Sequence, residues 1–135
     1  MHNCIAFSLT ATKLFEKAKT MKTSEIKFDI KLDDYKVPEE IIWSASDQQK
    51  QSASKSIMIS VWDAEEKNTL RIDLWTKDMM VDEMKQFYHQ SLLSMADSFE
   101  RATGEAEAAK AMRNFAQEFG VRMGLVMKNK MAAGS

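Results

Sequence analysis

The sequence predicts an α+β fold, an antiparallel sheet of three to four strands followed by two amphipathic helices packed on or beside it. Three observations lead there. Apolar and polar residues alternate along "IKFDIKL" and again along "TLRIDL", and the apolar "SIMISVW" reads as the other arm of a hairpin with the latter. From Val81 onward the apolar residues recur every three or four positions instead. Thr103-Gly104 then splits the helical half in two, because glycine tolerates the left-handed conformation that ends a helix.

Taken in order, "SEIKFDIKLDD" sets Ile26, Phe28, Ile30 and Leu32 on one side of a strand and Lys27, Asp29 and Lys31 on the other. Pro38 interrupts regular pairing, so Ile41 to Trp43 are expected as a short edge strand. "DQQKQSASKS" reads as a polar loop. "SIMISVWDAEEKNTLRIDLWT" reads as a hairpin in which Val61 faces Leu70, Ile59 faces Ile72 and Ile57 faces Leu74. That register leaves Asp63 to Asn68 as the loop and gathers the aliphatic residues on the face expected to be covered; a slip of one residue would invert both faces. The first helix carries Val81, Met84, Phe87, Tyr88, Leu92, Met95 and Phe99 on its apolar stripe. A second, from about Glu105 to Lys128, carries Ala108, Met112, Phe115, Phe119 and Met123. The domain division expected is 1–21 as a tail or start-site extension, 22–128 as a single α+β domain and 129–135 as a tail.

Composition removes several classes of function. Nineteen basic against twenty acidic residues leave a net charge of -1, which gives a polyanion nothing to hold, so nucleic acid is not an expected partner. The single Cys4 has no intramolecular disulfide partner. No apolar run approaches the ~20 residues of a membrane-spanning helix, so direct membrane insertion is not expected. The first residues lack the basic start of an export signal, and the cytoplasm is the expected compartment, with the periplasm as the alternative.

The strand-to-helix junction "WTKDMMVDEM" holds Asp78, Asp82 and Glu83, with His89 seven residues past Asp82, a set that could support acid–base chemistry. Each residue also has a plainer reading. Asp78 suits a helix N-terminus as an acceptor, and Asp82 and Glu83 suit the first turn, where the helix dipole favours negative charge. His2 with Cys4, Asp33-Asp34, and Asp63 with Glu65 and Glu66 lack the spacing of zinc or EF-hand sites. No catalytic residue, metal or cofactor is assigned.

The hairpin raises a different question. On the face opposite its aliphatic residues stand Met58, Trp62 and Trp75, beside Ser60, Arg71 and Asp73. Either the Trp43 segment folds across them, or they form a subunit or partner interface, for which tryptophan and methionine are favoured. Trp43, Met58, Trp62 and Trp75 are accordingly the candidate partner-binding residues. Eleven methionines, most in or beside the helices, read as flexible core filling or as an adaptable apolar groove. Gly120 and Gly124, four residues apart, allow close helix approach, within the chain or between subunits.

From residue 22 to about 119 the chain resembles the GldC family of gliding-motility proteins of Bacteroidetes, through "SEIKFDIKLDDYKVPEEIIWSA", "SVWDAEEKNTLRIDLWTKDMMVDEM" and "FYHQSLLSMADSFERAT". The resemblance implies a link to surface gliding and to a cell-envelope apparatus tied to protein secretion, and it carries over no catalytic residues. The expectation is a soluble, non-enzymatic accessory protein whose partners are components of the gliding and secretion machinery, with homo-oligomerisation open. The order of strands and helices is also similar to that of the export chaperone SecB. That gives the alternative, a holdase for exported motility proteins. A small hydrolase built on Asp78, Asp82 and His89 is the third reading.

Overall fold

The computed structural model describes residues 21–48 and 50–127; the expected tails, with His2 and Cys4, lie outside them. The elements run β1 (Ile26–Leu32), β2 (Pro38–Ala45), β3 (Ser52–Ser54), β4 (Ser56–Trp62), β5 (Thr69–Trp75), α1 (Val81–Thr103) and α2 (Ala106–Arg122). Strands followed by helices make the class α+β. The strands form a three-stranded antiparallel sheet in the order β1-β2-β3 and a separate two-stranded sheet, β4-β5.

In β1 the alternation holds in the middle, where Phe28 and Ile30 are half-buried, whereas Ile26 and Leu32 at its two ends are exposed. Phe28 pairs with Trp43 and Ile30 with Ile41, while Lys27 and Asp29 form an exposed ion pair at 3.0 Å. The turn that follows is set by Asp33, whose carboxylate accepts the N–H groups of Tyr35 and Val37, both at 2.9 Å. β2 departs from the expectation: it is eight residues long and central, paired with β1 on one side and β3 on the other. Pro38 can begin it because the first residue of a strand need not donate to the ladder. The Pro38 carbonyl still accepts, from Lys77 N–H at 3.1 Å. Ile41 lies on this central strand and is fully buried.

The expected polar loop is likewise shortened, because Ser52–Ser54 pair with Ile41–Trp43. A single residue, Lys55, separates β3 from β4, so the chain passes there from one sheet into the other. The Lys55 carbonyl accepts Thr76 N–H at 2.8 Å, tying the far end of β5 to the same point. The hairpin pairs in the predicted register, Val61 with Leu70, Ile59 with Ile72 and Ile57 with Leu74, around the loop Asp63–Asn68.

Gly104 closes α1 in the left-handed region (φ 74°), its N–H donating to the Glu100 carbonyl at 2.8 Å. α2 stops at Arg122, short of the expected Lys128, because Gly124 (φ 71°) turns the chain and Leu125 N–H returns to the Gly120 carbonyl. The two helices meet through small residues. Ala96 on α1 and Ala109, Ala116 and Gly120 on α2 are buried. The predicted α2 stripe is therefore rotated: Phe115 is 59 % exposed, and the seam runs along the alanines beside it. Close backbone packing needs small side chains, which the greasiest stripe does not supply. Arg113 ties the seam to α1 by bonding Asp97 at 2.8 Å and Glu100.

The closest element pairs are β1 with β2, β2 with β3, β4 with β5, and α1 with α2, each within one layer. Burial is correspondingly sparse. Among the described residues the buried apolar side chains are Ile41, Ile57, Ala96, Ala109 and Ala116.

Candidate interaction surface

The strand–helix junction is held by ordinary structural bonds. The Thr76 hydroxyl donates to Asp78, and Lys55 Nζ reaches both Glu83 carboxylate oxygens at 2.9 and 3.0 Å. Asp78 was expected to accept helix N–H groups; it bonds Thr76 instead, and the work passes to Glu83, whose carboxylate accepts Met80 N–H at 2.9 Å. The reason is spacing: Met80 is the N-cap residue, and the third residue beyond it is Glu83. The Thr76 hydroxyl holds the Asp78 carboxyl below its usual range, and the Lys55 ammonium does the same for Glu83. An adjacent hollow of about 360 Å³ is lined by Glu39, Ile41, Lys55, Thr76 and Asp78.

Asp82 and His89 do not join this group. Asp82 pairs with Lys85 at 3.1 Å and its side chain is 83 % exposed. His89 faces α2, where a β-carbon on Gly120 would lie 2.7 Å from its Nε2. That Nε2 is buried and has no hydrogen-bond partner among the described residues. The two share a helix face in sequence but not an environment, because α2 ends near the level of His89 and leaves Asp82 beyond its reach.

The hairpin presents both of its faces. Met58, Ser60, Arg71 and Asp73 stand on the one that carries Trp62 and Trp75 at its two ends. Against its middle lies α1, leaving a groove of about 680 Å³. Met58, Phe87, Met95, Phe99 and Met112 give the groove its apolar lining, and Ser60, Ser91, Ser94 and Ser98 interrupt it. Arg71 lies along the groove floor, with Nε bonded to Asp73 at 2.8 Å and a second nitrogen donating to Met58 Sδ at 3.0 Å. Trp62 and Trp75, beyond the helix, are 66 % and 54 % exposed.

The other face meets the expectation only in part. The aliphatic residues were expected to be covered and the mixed face to be wet, yet Val61, Leu70 and Ile72 are 53 %, 55 % and 54 % exposed. Toward the base that face closes, with Ile57 buried and Ile59 and Leu74 half-buried, while on the mixed face Ser60, Arg71 and Asp73 are exposed. The helices could approach either face, and alternation alone does not say which. Trp43 is not part of the cluster. It pairs with Phe28 and Ser52 in the other sheet, so β2 does not fold across Trp62 and Trp75. Three of the four candidate residues thus share a hairpin face, and the fourth lies elsewhere. The groove wall supplied by Phe87, Phe99 and Met112 was legible as members of the two helical stripes, without its location.

Set against known families, residues 38–125 match the one described as gliding motility-associated protein GldC-like, over well more than half of the chain. No curated protein and no solved structure matches.

Proposed function

Since the chain belongs to the GldC-like family of gliding motility-associated proteins, we propose that it serves the gliding apparatus as a non-enzymatic accessory protein, in the cytoplasm, through protein–protein contact at the hairpin β4–β5. The observation that carries this reading is the pair of tryptophans at the two ends of one hairpin face, each more than half exposed. Tryptophan is concentrated where partners dock, because it buries a large area and loses little side-chain freedom. Met58, between them, adds a deformable apolar contact. The residues at the strand–helix junction are each engaged in capping or ion pairing, so the proposal assigns them no chemistry.

Affinity capture of the tagged protein from a gliding bacterium tests this, with the recovered proteins quantified. One or two partners at fixed ratio, lost from a Trp62→Ala/Trp75→Ala variant that stays folded, are the expected outcome. Loss of folding in that variant would show the tryptophans to be structural and end the proposal.

The groove between α1 and the hairpin favours a second reading, a holdase for exported motility proteins. Its methionines and phenylalanines suit varied apolar segments. Under that reading unfolded precursors compete with one another for binding, and Met95→Ser with Met112→Ser weakens all of them alike.

A further inference from the structure

We propose that the free edge of β1 is completed by β1 of a second copy, antiparallel about a two-fold axis at Phe28, joining two three-stranded sheets into one. This contact is separate from the partner surface proposed above, because β1 and the hairpin lie in different sheets.

Ser46 N–H donates to the Glu25 carbonyl at 2.9 Å, which makes these two residues a bonded pair. In an antiparallel ladder, bonded and non-bonded pairs alternate. Lys27, Asp29 and Lys31 therefore turn their backbone groups to β2, and Ile26, Phe28 and Ile30 turn theirs away from it. Among the described residues β1 pairs with β2 alone, so those outward N–H and C=O groups form an open row. Such a row is a template for another strand.

The residues of the row choose that strand. Read outward from Phe28, "EIKFDIK" is self-complementary. Run against a second copy, it sets Ile26 opposite Ile30, Lys27 opposite Asp29 and Glu25 opposite Lys31, with the two Phe28 residues facing each other. Each outward N–H then meets a carbonyl. On one face apolar residues meet apolar ones, and on the other every charge meets its opposite. Ile26, 67 % exposed in the single chain, gains a cross-strand neighbour. Lys27 with Asp29, and Lys31 with Glu40, already form exposed ion pairs, and these groups keep donors and acceptors for a further partner.

Neighbouring registers fail. An axis at Lys27 opposes Lys27 to itself and Glu25 to Asp29; an axis at Asp29 opposes Asp29 to itself and Lys27 to Lys31. An axis at Ile30 runs across the irregularity between Lys31 and Leu32 and into Asp33, whose carboxylate is committed to Tyr35 and Val37. A two-fold contact demands self-complementarity, which a foreign strand would match only by coincidence. The other edges offer less. β3 has three residues, and β4 carries no charge to fix a register. β5 sets Arg71 opposite Asp73 about Ile72, but its edge is taken at the base. There Lys77 N–H bonds the Pro38 carbonyl, and Lys36 and Val37 flank Trp75.

Sedimentation equilibrium of the full chain, from micromolar to submillimolar loading, tests the proposal. Wild type is expected to pass from monomer to dimer across that range. Ile26→Pro should leave a monomer, because proline deletes an outward N–H and spares the bonds to β2. Lys27→Asp and Asp29→Lys should each weaken the dimer about tenfold or more, since each sets two like-charge pairs across the axis. An equimolar mixture of these two variants should regain it, for every pair then joins opposite charges. Trp62→Ala should dimerise like wild type. A wild type monomeric at every loading overturns the proposal, as does a dimer that survives Ile26→Pro or is lost in Trp62→Ala. Should Ile26→Pro fail to fold, the mixture decides: charge variants that dimerise as well alone, or stay monomeric when combined, overturn it equally.

Discussion

The helix pair α1–α2 and the hairpin β4–β5 solve the same problem in opposite ways. The helices close on each other with their smallest residues, Ala96 against Ala109, Ala116 and Gly120, and leave Phe115 and Met95 more than half exposed. The hairpin sets its largest residues outward on both faces, and its own pairing buries only Ile57. A seam of small side chains admits no added atom, whereas a bare apolar ribbon loses little when one is removed. Sensitivity to substitution should therefore follow closeness of approach rather than hydrophobicity.

The sharpest way to break this contrast is Gly120→Leu. A β-carbon there already meets His89 Nε2 at 2.7 Å and Val126 Cγ2 at 2.9 Å. Overpacking should cost about 3 kcal/mol in urea unfolding, with part of it recovered when His89→Ala is added. Gly104→Ala tests the helix end, where nothing lies within 4 Å of the new carbon and only the left-handed backbone resists. Its expected cost is about 1 kcal/mol. Met80→Asp should act in the other direction. Met80 makes no side-chain cap, and an acceptor at that position should add about 0.5–1 kcal/mol.

On the hairpin, Trp62→Ala should change unfolding by no more than about 0.5 kcal/mol despite the size of the side chain removed. A larger loss would place the hairpin with the helix seam and erase the difference. The smallest effect expected is the one linked to pH. Lys55 holds the Glu83 carboxyl below its usual range, so this contribution is present above the unfolded glutamate value and fades as pH falls through the folded one. Wild type should thus lose stability on acidification slightly more than Glu83→Gln, read from urea midpoints at neutral and acid pH.

Periodicity made much of this molecule legible before any coordinates. Because side chains alternate strictly along a strand, the register Val61–Leu70, Ile59–Ile72, Ile57–Leu74 and the loop Asp63–Asn68 followed from the sequence. Gly104 ended α1 where a residue free to adopt positive φ stands. The "LRIDLWTKDM" region carried the family resemblance that the match over residues 38–125 then showed. Less legible were the elements that depend on partners distant in sequence. β2 looked like a short edge because Pro38 marks interruption, and only pairing with β1 and β3 makes it central. The serines of β3 carry no strand signal of their own; β2 recruits them.

Which residues share a face follows from the order of the residues alone, because it is a property of one element: the period of a strand, the pitch of a helix, the φ a glycine permits. What each face meets was decided only by tertiary structure. Burial is a relation between elements, and a two-faced ribbon can accept a helix on either side. The helices took the side of Met58, Ser60 and Arg71, and so left Val61, Leu70 and Ile72 bare. They turned His89 away from Asp78 and into the seam beside Gly120. Both outcomes follow from where α2 can approach closely enough to pack, a distance set by alanine and glycine rather than by the most apolar stripe.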